Sequence, residues 1–151
     1  MRVKDLEPIV SRKSAKISRL VEPFFGQDLD AHYLAYFECF NRQLFFEAHE
    51  VLEEIWLKER GKTKDFFYKG LIQLAGAFVH LQKNRLRPAA SLLNLARRNL
   101  DDYSPNFESL EMIQVNRMIL EWLARIDAAS SGLNPLAMFG PPRLFLGTAN
   151  L

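Results

Sequence analysis

Cysteine is almost absent from this sequence, since Cys39 is the only one in 151 residues. No disulfide can form within the chain, so the fold does not depend on an oxidising compartment. A lone cysteine without a partner motif is usually a small core residue. We therefore expect Cys39 to be structural and not a nucleophile.

Long apolar runs and secretion signals are missing as well. No run approaches the ~18 residues of a membrane-spanning helix. The first residues, MRVKDLEPIV, hold charges and a proline where a signal peptide has its apolar core. We expect a soluble cytoplasmic protein, or the plastid-stromal equivalent, with no membrane partner.

A strong excess of one charge is also lacking. The formal net charge is +2, so no overall field attracts the protein to nucleic acid or acidic lipid. Two local groups of basic residues lack interleaved aromatic residues and any known nucleic-acid motif, which argues against nucleic-acid binding. These groups are Arg2, Lys4, Arg12, Lys13, Lys16 and Arg19 near the start, and Arg85, Arg87, Arg97 and Arg98 later.

Strand signals are missing, whereas helical periodicity runs along most of the chain. The pattern predicts an all-α fold, a single compact array of about five or six helices around a central antiparallel helix hairpin. The hairpin consists of Leu44–Arg60 and Asp65–Lys83, separated by a short connection that contains Gly61. We expect a further helix to begin at the cap Asn106.

Three segments are expected along the chain. Residues 1–27 form a basic N-terminal extension, residues 28–132 the helical domain, and residues 133–151 an apolar tail with three prolines. Because an exposed apolar tail is unfavourable, we expect Met138–Leu146 to pack on the chain's own helices or on a second subunit. The tail is therefore the predicted contact for a protein partner or a homo-oligomer.

The stretch FFEAHEVLEEIW, Phe45–Trp56, concentrates titratable groups in an apolar helix. Its phasing predicts that Glu47, Glu50 and Glu54 point away from the core, while Leu52 and Ile55 are buried. His49 and Glu53 are four residues apart and therefore adjacent on one helix face. The next helix carries Gln73 and His80 on its narrow polar strip. The predicted polar cluster comprises His49, Glu50, Glu53, Gln73 and His80.

This cluster has several interpretations. It can be a hydrogen-bond network that fixes how two helices meet, because buried polar groups need partners. It can be a site for a divalent metal, with His49, Glu53 and His80 as a two-histidine, one-carboxylate set. A metal-free acid–base pair or a binding pocket completes the alternatives. The zinc-protease motif H-E-x-x-H is incomplete, because Glu53 stands at the second histidine.

The segments FNRQLFFEAHEVLEEIW and FYKGLIQLAGAFVHLQKNRLRPAASLLNLA, taken together, resemble the family called domain of unknown function 309. The resemblance covers residues 37–100, and more loosely extends to 126. It implies a small all-helical protein and no particular activity. Gln43 and Lys83 depart from the family pattern, which often has glycine there. The matching residues are Glu47, His49, Glu50, Glu53, Trp56, Gln73, His80 and Asn84.

No complete catalytic motif accompanies the cluster. The nucleophile elbow, the phosphate loop, C-x-x-C and the dinucleotide glycines are all absent from the sequence. We therefore expect a non-enzymatic binding or scaffold protein with a Glu/His cluster between two core helices, and no cofactor beyond the divalent metal of the alternative. That alternative is a metal-dependent, hydrolase-like enzyme.

Overall fold

The computed structural model describes residues 12–129 and 133–147. Within these ranges the chain folds into seven α-helices and one two-stranded antiparallel ribbon, which confirms the predicted all-α class. The helices are α1 Arg12–Val21, α2 Ala31–Asn41, α3 Phe45–Glu59, α4 Asp65–Gln82, α5 Leu86–Leu100, α6 Met112–Asp127 and α7 Pro135–Phe139. The strands are β1 Asn106–Phe107 and β2 Leu110–Glu111.

Helices α3 and α4 form the predicted antiparallel hairpin. Phe45 at the start of α3 stacks on Phe78 near the end of α4, with ring centroids 5.2 Å apart. At the other end, Trp56 Nε1 donates a 2.8 Å hydrogen bond to Asp65 Oδ1. The same carboxylate accepts a hydrogen bond from the backbone N–H of Gly61 in the connecting turn. Gly61 has a φ of 80°, a left-handed conformation that glycine adopts without strain.

Helix α4 lies at the centre of the fold and packs on both α3 and α5. A Cβ placed on Gly70 of α4 would lie 2.6 Å from Leu100 Cγ, so the missing side chain lets α5 approach closely. Its inner face contacts other helices through large buried groups. Tyr36 of α2 donates a 2.6 Å hydrogen bond to the carbonyl of Leu71. Phe78 meets the ring of Trp122 from α6 edge-on.

Helix α1 is part of this core. Ile17 and Val21, four residues apart, are buried against α2 and α3. The basic residues on the same helix therefore face the acidic side of α3, with Lys16 Nζ 2.9 Å from Glu47 Oε1. The proposed segment boundary after residue 27 stays a prediction. Arg2 and Lys4 lie outside the described residues.

The predicted solvent exposure of Glu50 is wrong. Glu50 is only 6% exposed, because α1 covers that side of α3. The same helix brings Lys13 and Lys16 within 4 Å of the Glu50 carboxylate. Glu47 is half-buried under the same helix, whereas Glu54 is exposed as predicted. The buried apolar positions of the hairpin, including Leu52 and Ile55, are confirmed.

The ends of the helices follow local chemistry. Asp30 caps α2 by accepting a hydrogen bond from the N–H of His32. Gln43 precedes α3 with a φ of 63°, which is a left-handed conformation. Glycine adopts this conformation most easily, which explains why the family that the sequence resembles often has glycine there. The predicted cap at Asn106 is wrong, since Asn106 lies in β1 and α6 begins only at Met112.

The tail packs on the chain's own helices, with α7 against α4 and α6 and a second contact around Leu144. Leu144 is fully buried, and the Asn41 side chain both donates to its carbonyl and accepts from its N–H, each at 2.7 Å. Met138, Phe139 and Phe145 remain more than half exposed. The prediction of a docked tail is thus confirmed around Leu144 and not for these three side chains.

Candidate binding groove across three helices

A groove of about 290 Å³ crosses α4 between α3 and α5. Its floor and walls are mostly apolar, with three polar side chains at defined positions. Concave apolar sites with few polar groups are the usual form of ligand pockets. The lining residues are Phe46, His49, Ile72, Gln73, Gly76, Val79, His80 and Leu92. We call this set the histidine groove.

The spacing of residues on α4 creates the floor. Gln73, Gly76 and His80 follow each other at intervals of three and four, so they share one face. Gly76 carries no side chain, and a Cβ there would meet only Leu92 Cδ1, at 3.1 Å. The two helices on either side are thereby separated by a depression and not by a ridge.

His49 reaches the groove from α3. Its Nε2 lies 3.1 Å from Glu53 Oε2, one turn along the same helix. In the neutral ring a carboxylate at this distance favours hydrogen on Nε2, which leaves Nδ1 as an acceptor. Nδ1 is buried and has no hydrogen-bond partner within residues 12–129 and 133–147. Phe46 lies beside the ring, with centroids 5.8 Å apart.

His80 enters the same groove from α4. Burial lowers the pKa of its imidazole, and the positive charges of Arg85 and Lys83 add to this effect. The ring is therefore neutral at neutral pH. Its Nδ1 is also buried without a partner. Since buried polar atoms in native proteins are nearly always paired, two such atoms in one groove need an explanation.

The predicted cluster is brought together only in part. His49, Gln73 and His80 line one groove, and Glu53 contacts His49. Glu50 lies instead under α1. Neither histidine hydrogen-bonds to Gln73, whose Oε1 accepts a 2.7 Å hydrogen bond from Asn99 Nδ2 on α5. The sequence did not predict the contact of Asn99 with Gln73, because helical periodicity does not show which residues of α4 and α5 lie opposite each other.

The metal interpretation gains no support from the geometry. Among residues 12–129 and 133–147, no group of three or more His, Cys, Asp or Glu side chains is arranged to hold a metal ion. The proposed set of His49, Glu53 and His80 therefore remains without a supporting observation. The same holds for the alternative of a metal-dependent enzyme.

Other reactive or charged groups fall outside the groove. Burial raises the pKa of the Cys39 thiol to about 11, and nearby Glu47 contributes, which suits an inert core residue. Arg97 and Arg98 line a separate depression on α5. No helix in the described part of the chain is long and apolar enough to cross a lipid bilayer.

Comparison with known proteins finds a match between the helices that form the groove and one protein family. The family model described as domain of unknown function (DUF309) matches residues 33–92. This match confirms the resemblance found in the sequence, and it contains all eight lining residues of the histidine groove. Helix α1 and the tail lie outside the matched residues.

Two curated relatives are similar over longer stretches. The uncharacterized protein YpuF of Bacillus subtilis (strain 168) is 27% identical over 97 residues, which cover 61% of this chain and 56% of YpuF. An uncharacterized protein of Aquifex aeolicus (strain VF5) is 24% identical over 116 residues, covering 76% of this chain and 34% of the relative. The chain thus spans about half of one relative and a third of the other. No solved structure gives a significant match, and neither relative indicates an enzymatic function.

Proposed function

We propose that residues 33–92, which match the family model described as domain of unknown function (DUF309), form a non-catalytic binding module. Its ligand site is the histidine groove. The ligand has a flat or branched apolar body and at least one O–H or N–H donor. The observation that carries this proposal is the pair of buried, unpartnered Nδ1 atoms on His49 and His80.

The chemistry of the lining supports this ligand class. Phe46, Ile72 and Val79 offer apolar contact, so binding removes apolar surface from water. A neutral imidazole nitrogen without hydrogen accepts and does not donate, so it selects a donor. Leaving such an acceptor unpaired costs about 1–3 kcal/mol, and a ligand donor recovers part of that cost.

Phenol and toluene test this proposal because they have nearly the same shape and differ by a hydroxyl donor. Each is titrated into the ¹⁵N-labelled full chain, and backbone amide shifts of α3, α4 and α5 are followed. We expect phenol to bind more tightly than toluene, by roughly 3- to 10-fold, the value of one net hydrogen bond.

Matched variants locate the effect. His80→Phe keeps an aromatic ring and removes the acceptor, so the preference for phenol over toluene should fall or vanish. His32→Phe makes the same change at the third histidine, which lies near Asp30 and Glu54 outside the groove. It should leave the preference intact. Equal binding of phenol and toluene by the unmodified chain would refute the proposal.

A further inference from the structure

The outer side of α6 and the adjoining tail form a second surface, far along the chain from the histidine groove. Three large apolar side chains on it are exposed to a similar extent, Ile113 at 56%, Leu120 at 50% and Phe139 at 53%. Ile113 and Leu120 are seven residues apart and so lie on one side of the helix. Arg117 lies one turn from each of them on the same side of α6, and Phe139 lies on the tail side of the surface. Exposed apolar side chains grouped on one surface mark interaction sites in soluble proteins. We call this surface the α6–tail face; it comprises Ile113, Arg117, Leu120, Glu121, Arg125 and Phe139.

The face is concave where α6 meets the tail. A cavity of about 530 Å³ is lined by Glu111 of β2, by α6 from Gln114 to Arg125 and by tail residues from Phe139 to Arg143. A second, more apolar depression of about 260 Å³ shares Arg125 and Phe139 with it and adds Leu133 and Met138. The two depressions therefore form one continuous strip.

Charged groups of both signs on this strip lack ion-pair partners. Five of them line the larger cavity, yet among the described residues none forms a salt bridge. They are Arg117, Arg125, Arg143, Glu111 and Glu121. Arg125 is nevertheless held in place, with its guanidinium 4.8 Å from the ring centre of Trp122 and 4.4 Å from that of Phe139.

We propose that the α6–tail face is the interface of a two-fold symmetric homodimer. A two-fold contact brings one surface against itself, so it needs both charge signs on the same face. Arginines and glutamates that lie side by side without ion-pair partners among the described residues meet that requirement, since the arginines of one copy can pair with the glutamates of the other. A purely acidic or purely basic partner would satisfy one sign and repel the other. The exposed apolar residues would form the apolar core of such an interface, from which water is excluded.

The mass of the full chain in solution tests the dimer. Light scattering over a wide concentration range should give twice the 17.5 kDa chain mass at the upper end. Leu120→Arg should weaken dimerisation at least tenfold. Leu57→Arg is the matched control, because Leu57 on α3 is also 50% exposed; it should leave the dimer unchanged. Thermal unfolding of both variants verifies that each is folded.

Glu121→Arg adds an electrostatic test. It leaves Glu111 as the one carboxylate beside four arginines among the charged groups described for the strip, so dimerisation should weaken, and more strongly at low salt than at high salt. A chain that stays monomeric at all concentrations would overturn the proposal. So would a dimer that Leu120→Arg does not weaken, or one that Leu57→Arg weakens equally. None of these results bears on phenol binding, so the two proposals fail separately.

Discussion

Gly70 and Gly76 occupy the same helix but meet different neighbours, and this difference yields a prediction at the residue scale. A Cβ at position 70 would lie 2.6 Å from Leu100 Cγ and 3.3 Å from the carbonyl oxygen of Ala96. Leu100 is fully buried and cannot easily move. We expect Gly70→Ala to lower the free energy of unfolding by about 1–3 kcal/mol, as overpacking does.

Gly76→Ala is the internal control for that substitution. Both changes gain the same helix propensity, about 1 kcal/mol, so the difference between them isolates packing. Position 76 meets only Leu92 Cδ1, the mobile end of a half-buried side chain. We expect this variant to be as stable as the unmodified chain or slightly more so in urea unfolding. Equal destabilisation by both substitutions would contradict the packing described for α4 and α5.

At the scale of the element, α1 gives the clearest prediction. Its contact with α3 combines a hydrogen bond from Lys16 to Glu47 with the burial of Ile17 and Val21. Burial, the largest single effect, would favour the neutral acid, but the hydrogen bond from Lys16, a backbone hydrogen bond and the charge of Lys16 together outweigh it and lower the pKa of Glu47. A partly exposed ion pair of this kind is worth less than about 1 kcal/mol. The apolar contact therefore holds the helix.

Paired alanine substitutions separate the two contributions. Ile17→Ala should cost about 2–5 kcal/mol, the range for truncating a buried isoleucine. Lys16→Ala, at the neighbouring position, should cost less than about 1 kcal/mol, and addition of salt should reduce even that. Chemical denaturation monitored by circular dichroism measures both. A larger loss for Lys16→Ala than for Ile17→Ala would mean that charge, and not burial, holds α1.

Helix α1 also explains what sequence patterns could and could not predict. The hairpin and its core positions follow from periodicity alone, since Leu52, Ile55, Leu71 and Phe78 repeat at helical intervals. Glu50 was placed wrongly, because the pattern of α3 contains no information about a distant helix that covers it. The available signal lay in α1 itself, where Ile17 and Val21 share a face next to Lys13 and Lys16.

The same reasoning applies to the histidine groove. Its polar members on α3 and α4 could be predicted from spacing along two adjacent helices. Its α5 wall, with Leu92, and the pairing of Asn99 with Gln73 depend on how α4 and α5 are aligned. That alignment results from the close approach at Gly70, which spacing alone does not reveal.

At the scale of the whole molecule, the tail is joined to α2, an element far earlier in the chain. Asn41 at the end of α2 makes two hydrogen bonds to the backbone of Leu144, 103 residues later. We expect Asn41→Ala to lower the free energy of unfolding by about 1–3 kcal/mol, since both backbone groups of Leu144 lose a partner. Hydrogen exchange of the Leu144 amide should accelerate in parallel.

Asn94→Ala provides the matched control for the tail. Its side chain bonds only to the carbonyl of Ala90 in the same helix and is exposed. The change should alter stability by no more than about 0.5 kcal/mol and should leave Leu144 protected. Rapid exchange at Leu144 in the unmodified chain would contradict a docked tail.

The central claim is that the Nδ1 atoms of the two groove histidines, which lack partners among the described residues, accept a hydrogen bond from a ligand donor. A long-range ¹H–¹⁵N spectrum of the imidazole rings, recorded at neutral pH during titration with phenol, tests it most directly. We predict that His49 and His80 carry hydrogen on Nε2, and that the Nδ1 resonance of one or both moves as phenol donates to it, while His32 stays unchanged. Hydrogen on Nδ1 of both groove histidines, or equal shifts at all three histidines, would contradict the account.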